Sequence, residues 1–124
     1  MSKKKAVIIL SGGMDSVTTL AIANNKKYEC YVLSNWSWET FQGMEVKYPF
    51  LNQFDDLIIS GKEKLIKPDA KIYKLAMNRF KLIPEETVFI DDKKENIEAA
   101  SKLGFLTIHL TNPEIITQEI NTFI

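Results

Sequence analysis

Five short apolar runs alternate with longer stretches of helical period, and this alternation narrows the fold more than any other feature of the chain. "AVIIL" (6–10), "YECYVLS" (28–34), "LIIS" (57–60), "TVFI" (87–90) and "FLTIHL" (105–110) have strand length and are apolar almost throughout. Between them, "DSVTTLAIANN" (15–25) sets Val17, Leu20 and Ala21 on one helical face, and "SWETFQGMEVKY" (37–48) is stopped by Pro49. Pro68 and Asp69 open a third helix that runs to Phe80, with Ile72, Leu75, Ala76 and Arg79 sharing a face. "KENIEAASKL" (94–103) is a fourth, stopped by Gly104, and the tail from Pro113 to Phe123 reads as a last one. Strands that are apolar on both faces need cover on both faces, and crossover helices supply it. The pattern therefore predicts an α/β fold, a three-layer Rossmann-like arrangement around a five-stranded parallel sheet. With 124 residues and no linker-like or low-complexity stretch, one domain over 1–124 is expected.

Charge narrows the function classes. Sixteen basic residues balance sixteen acidic ones, so no overall field favours nucleic acid or an anionic membrane. The Lys3–Lys5 run reads as a solvated N-terminus, and no apolar stretch approaches the roughly 18–20 residues that span a bilayer. The start of the chain lacks the pattern of a signal peptide, and the single cysteine, Cys30, reads as a buried thiol. A cytoplasmic location is the resulting expectation.

In an open parallel sheet, ligands gather beyond the carboxyl ends of the strands. Here those ends carry Ser11, Gly12, Gly13, Met14, Asp15 and Ser16 after strand one, and Ser34 and Asn35 after strand two. Lys64 and Lys67 come after strand three, Asp91 and Asp92 end strand four, and His109 and Thr111 close strand five. Gly12 and Gly13 let a backbone approach phosphate closely, with the amides of the following helical turn facing the anion. Lys67 supplies positive charge, Ser34 a hydroxyl donor, and Asp91 and Asp92 hard oxygen ligands suited to Mg²⁺. The bland readings are a tight turn at the glycines, helix capping by Asp91 or Asp92, a solvated Lys67 and a structural His109.

Two resemblances organise these residues. "KKAVIILSGGMDSVTTLAIANNKKYE" resembles the opening of the 7-cyano-7-deazaguanine synthases, whose SGGxDS loop belongs to the ATP-pyrophosphatase group and binds the phosphates of ATP. That likeness covers about residues 1–30. Residues 31–124 resemble the haloacid dehalogenase-like hydrolases, in their sugar-phosphatase-like branch. "VLSNWSWETF" is similar to that family's second motif, with Ser34 as the phosphate-contacting hydroxyl. "LIKPDAKIY" is similar to the third, with Lys67 as the charge-stabilising lysine. "VFIDDKKENIEAASKLG" is similar to the fourth, with Asp91 and Asp92 on the magnesium side.

The resemblances imply a strand order of 3-2-1-4-5, with the glycine loop and the paired acids on one crevice. They also imply a hydrolase-like core without the cap that comes after strand one in many relatives. Strand one ends in Leu10-Ser11-Gly12-Gly13, so the family's Asp-x-Asp nucleophile motif is absent there, and Asp15 is the weak candidate left for catalysis. The function implied is that of a Mg²⁺-dependent phosphohydrolase-type domain with impaired turnover. Its alternatives are non-catalytic binding of phosphate or ATP through the SGGMDS loop, or a recombinant or remnant fold with no selected activity. The partners expected are a small phosphorylated ligand or nucleotide, with no nucleic acid and no membrane. Loss of the cap exposes apolar surface, which favours self-association.

Overall fold

The computed structural model describes residues 5–8, 28–47, 49–112 and 118–119. The expected helix over 15–25, the SGGMDS loop and most of the expected tail helix lie outside the described residues. The elements are β1 (Lys5–Ile8), β2 (Glu29–Ser34), α1 (Trp38–Lys47), β3 (Asp56–Ile59), α2 (Ser60–Glu63), α3 (Ala70–Arg79), β4 (Thr87–Asp91), α4 (Lys94–Lys102) and β5 (Leu106–His109), with 3₁₀ turns at Pro49–Gln53 and Pro84–Glu86. The strands form one five-stranded sheet in the order β3-β2-β1-β4-β5, and every pairing is parallel. β1 lies in the middle, with Ala6 opposite Cys30 of β2 and Val88 of β4.

The period-two geometry of a strand divides the core into two halves. Cys30 and Val32 of β2, Ile59 of β3 and Val88 and Ile90 of β4 pack with Phe41 of α1 and with Leu51 and Phe54. Tyr31, Leu33, Ile58 and Phe89 point the other way, into Ile72, Tyr73 and Ala76 of α3 and Ala100 of α4. The helices thus sit on both faces, which is why the middles of β2 (Cys30–Leu33) and β4 (Val88–Ile90) are continuously apolar. Full burial of such side chains contributes about 1.5–3 kcal/mol each. The second half is ring-rich: Tyr31 stacks on Phe80 at 4.2 Å, and Phe89 meets Tyr73 edge-on at 5.3 Å. Cys30 is fully buried as expected, and burial, with the Asp55 carboxylate adding to it, pushes its thiol up to about 12.

Two details differ from the sequence expectation, and a third was not read from it. β3 begins at Asp56 and stops at Ile59, because Ser60 already starts the short helix α2. The buried face of α3 is Ile72, Tyr73 and Ala76, while Arg79 leaves it to pair with Glu63 at 2.7 Å. A guanidinium at the last helical position reaches solvent more easily than a core, and Tyr73 takes the inward place. The third is a close approach. Gly61 donates its N–H to the Trp36 carbonyl at 2.9 Å, and a Cβ there would lie 2.4 Å from the Trp38 nitrogen. Only glycine lets α2 sit against the loop after β2. Among the described residues no helix is long and apolar enough to cross a membrane.

Candidate functional site

Because all strands run the same way, Ser34, Ser60, Asp91 and the end of β5 arrive at one edge of the sheet. Asp91 is the last residue of β4 and is buried. Its Oδ2 accepts from Lys67 Nζ at 2.9 Å and from Asn96 Nδ2 at 2.9 Å, and its Oδ1 accepts from the Lys93 amide at 3.0 Å. Lys67 and Asp91 form an ion pair with side chains only 2% and 1% exposed. Burial pushes the Asp91 carboxyl up, but the Lys67 charge and hydrogen bond outweigh it and hold the group below the usual carboxylate range. Burial lowers the Lys67 ammonium, with the Asp91 charge opposing.

Lys67 is anchored from the other side. Its N–H donates to Asn35 Oδ1 at 2.9 Å, and its carbonyl accepts from Asn35 Nδ2 at 3.2 Å. Ser34 precedes Asn35, is buried, and its Oγ accepts from the Trp36 amide at 3.2 Å, which leaves the hydroxyl proton to be donated elsewhere. The Ser60 hydroxyl donates to the Leu65 carbonyl and closes the turn that leads to Lys67. One connected set of bonds therefore runs from the end of β2 through Lys67 to the end of β4 and into α4.

The structure brings Ser34, Asn35, Lys67 and Asp91 together at this edge, and Asp92 comes after Asp91 as an exposed neighbour. Asp91 Oδ1 takes the Lys93 amide in the turn just before α4, whose N-cap is Lys93 and carries no side-chain cap bond, while the Asp92 carbonyl faces His109 Nε2 at 3.0 Å. Lys64 is exposed, in a left-handed conformation at the end of α2, and its N–H bonds the Ser60 carbonyl. Ser11, Gly12, Gly13, Asp15 and Ser16 lie outside the described residues. Among the described residues no group of three or more His, Cys, Asp or Glu side chains gathers.

Two contributors were not read from the sequence. Asn96 sits on the buried stripe of α4, four residues before Ala100, and is only 3% exposed. Its backbone carbonyl accepts from the Tyr73 hydroxyl at 2.9 Å. A polar residue at core spacing in an otherwise charged helix was the available signal. Tyr73 is fully buried, and burial, then the nearby Asp91 charge, raises its phenol well above the ordinary value. Tyr73→Phe removes a buried hydroxyl that has a partner, so a loss of roughly 1 kcal/mol is expected in chemical unfolding. An unchanged midpoint would show that the bond to Asn96 contributes nothing.

A parallel Rossmann-like sheet with a buried lysine–aspartate pair at its carboxyl edge defines the class of fold. The chain belongs to the haloacid dehalogenase-like hydrolases: the sequence profile of that family matches residues 3–110. A haloacid dehalogenase-family enzyme of Bacteroides thetaiotaomicron, solved with magnesium and inorganic phosphate, superposes with a TM-score of 0.66 at 28% identity, over 75% of this chain and 50% of that one. The chain is also similar to 7-cyano-7-deazaguanine synthases. That of Ruthia magnifica is 72% identical over 32 residues, 26% of this chain and 14% of the synthase. That of Saccharophagus degradans is 32% identical over 123 residues, 96% of this chain and 52% of the synthase, so this second likeness extends beyond a thirty-residue segment. The chain spans about half the length, or less, of the curated relatives it matches.

Proposed function

We propose that the carboxyl edge is a Mg²⁺-dependent phosphate-binding crevice of haloacid dehalogenase type that turns substrate over slowly or not at all. The observation that carries this reading is the buried Lys67 ammonium. It has three donors, and among the described residues one of them is used, on Asp91. A buried cation with spare donors, next to the Ser34 hydroxyl, suits a phosphoryl oxygen. The donor set also fits magnesium. Asp91 Oδ1 keeps one acceptor position after the Lys93 bond, and the exposed Asp92 carboxylate lies beside it. Mg²⁺ is commonly held by one or two carboxylates with water completing the octahedron. When bound, it would offset the repulsion between these acids and a phosphoryl group.

Weak turnover is expected from the sequence, since the chain beyond the first apolar run reads Ser11-Gly12-Gly13 and offers no carboxylate where the family carries its nucleophile. A serine hydroxyl is a weak nucleophile unless a neighbouring base activates it. The twenty residues between β1 and β2 are also too few for an inserted cap domain. Ser11, Gly12, Gly13, Asp15 and Ser16 would present loop amides and hydroxyls to the same anion. The 72% identity of one synthase over 32 residues supports a second reading, in which that loop holds the phosphates of ATP.

Calorimetry with inorganic phosphate and with ATP, with and without Mg²⁺, tests this, together with a p-nitrophenyl phosphate assay. Phosphate is expected to bind only with Mg²⁺, to lose about tenfold or more in affinity in Asp92→Asn, and to be released from no substrate above the blank. Saturable heat with ATP but not phosphate would favour the loop reading. Absence of heat in every condition removes the crevice, and turnover that Asp92→Asn abolishes removes the claim of impaired catalysis.

A further inference from the structure

Asn35 stands where a phosphate ligand is expected, yet its side chain is engaged elsewhere. Its amide oxygen takes the Lys67 N–H at 2.9 Å, and its amide nitrogen gives to the Lys67 carbonyl at 3.2 Å. Only one orientation of the amide satisfies both bonds, because the main chain presents one donor and one acceptor. The two residues are 32 apart in sequence, so this bracket ties the loop after β2 to the loop before α3. A lysine ammonium rides on a flexible four-carbon stem, so where it rests depends on how firmly its root is held.

We infer that Asn35 is a positioning residue: it brackets the Lys67 main chain so that Nζ meets Asp91 and the bound anion, and does not itself carry the phosphoryl group. Neighbouring contacts serve the same end. Gly61 lies against the backbone of Ser37 and Trp38, and the Ser34 hydroxyl holds the Trp36 amide, so the loop that carries Asn35 is fixed at both ends. The Phe89 ring below Lys67, 5.9 Å from Nζ, limits the other directions open to the stem. The role in ligand binding rests on the proposed anion site, whereas the bracketing of Lys67 does not depend on it.

The experiment has two arms on the full chain. In the first, ¹⁵N NMR tracks the Lys67 ammonium without ligand. A solvent-protected signal is expected in the wild type, lost in Asn35→Ala and partly kept in Asn35→Asp, which retains the acceptor for the Lys67 N–H. In the second, calorimetry with Mg²⁺ and inorganic phosphate compares Asn35→Ala in the wild-type and Lys67→Met backgrounds. A loss of about tenfold in the first background and none in the second is expected, since a residue acting through Lys67 has nothing to position once the ammonium is gone. Additive losses, or the same ammonium signal in wild type and Asn35→Ala, overturn the inference. A wild type that binds no phosphate defeats the proposed function, and the ammonium arm then decides Asn35 alone, as it does if Lys67→Met fails to fold.

Discussion

Lys67→Met is expected to destabilise the domain by about 3–5 kcal/mol at neutral pH, because it leaves the Asp91 carboxylate buried without its counter-charge. The Lys67–Asp91 pair is nearly inaccessible to water, so solvent cannot replace the lost partner. The double variant Lys67→Met/Asp91→Asn should recover part of that loss, because the unpaired charge disappears: the amide keeps one oxygen for the Lys93 N–H, and its NH₂ then faces Asn96, whose own amide has to turn its oxygen inward to accept. The pH dependence has a definite sign. In the wild type the Asp91 carboxyl is held below its ordinary value, so its contribution is present above about pH 4 and is lost as pH falls through the lower folded value. In Lys67→Met the charge and hydrogen bond that outweighed burial are gone, so the Asp91 carboxyl rises relative to wild type despite the bonds it keeps, and acidification protonates the group and narrows the gap to wild type. Urea unfolding of the three proteins across pH measures this. A single variant as stable as wild type at pH 7 would mean that the pair is not buried as described.

Gly61→Ala should cost about 1–3 kcal/mol, although alanine is the better helix former by about 1 kcal/mol. The added Cβ would stand 2.4 Å from the Trp38 nitrogen and 2.8 Å from two Ser37 backbone atoms. Backbone cannot rotate aside as a side chain can, so α2 or the loop must move. The displaced loop is the one that carries Ser34 and Asn35, and phosphate affinity should fall with stability. Gly43→Ala is the control, since nothing lies within 4 Å of its position. Thermal unfolding that ranks the two variants equally would remove the close-approach argument.

The parts of this fold that were legible in the sequence are those in which burial dictates residue type along a whole element. β2 and β4 are buried from both sides, so their apolar runs needed no arbitration, and Gly104, at φ +97, marks the end of α4 as its position suggested. α2 was not legible, because a four-residue helix carries less than two turns of pattern. Tyr73 and Arg79 changed places relative to expectation: both lie near the apolar stripe of α3, and tertiary partners on Asn96 and Glu63 decided between them. At the site, family-like motifs located Ser34, Lys67, Asp91 and Asp92, but they could not show what the side chains touch. That Asn35 holds main chain rather than facing solvent, and that Asn96 completes the shell of Asp91, depend on contacts 32 and 5 residues apart in the chain.

An anion and a metal ion sharing the rim formed by the ends of the strands is the central claim. Crystals grown with MgCl₂ and inorganic phosphate test it most directly. Phosphate within hydrogen-bonding reach of Lys67 Nζ and Ser34 Oγ, with a hydrated cation at the Asp92 carboxylate, is the predicted result. Phosphate bound elsewhere, or clear solvent over the Lys67–Asp91 pair at saturating concentrations of both ions, would contradict it.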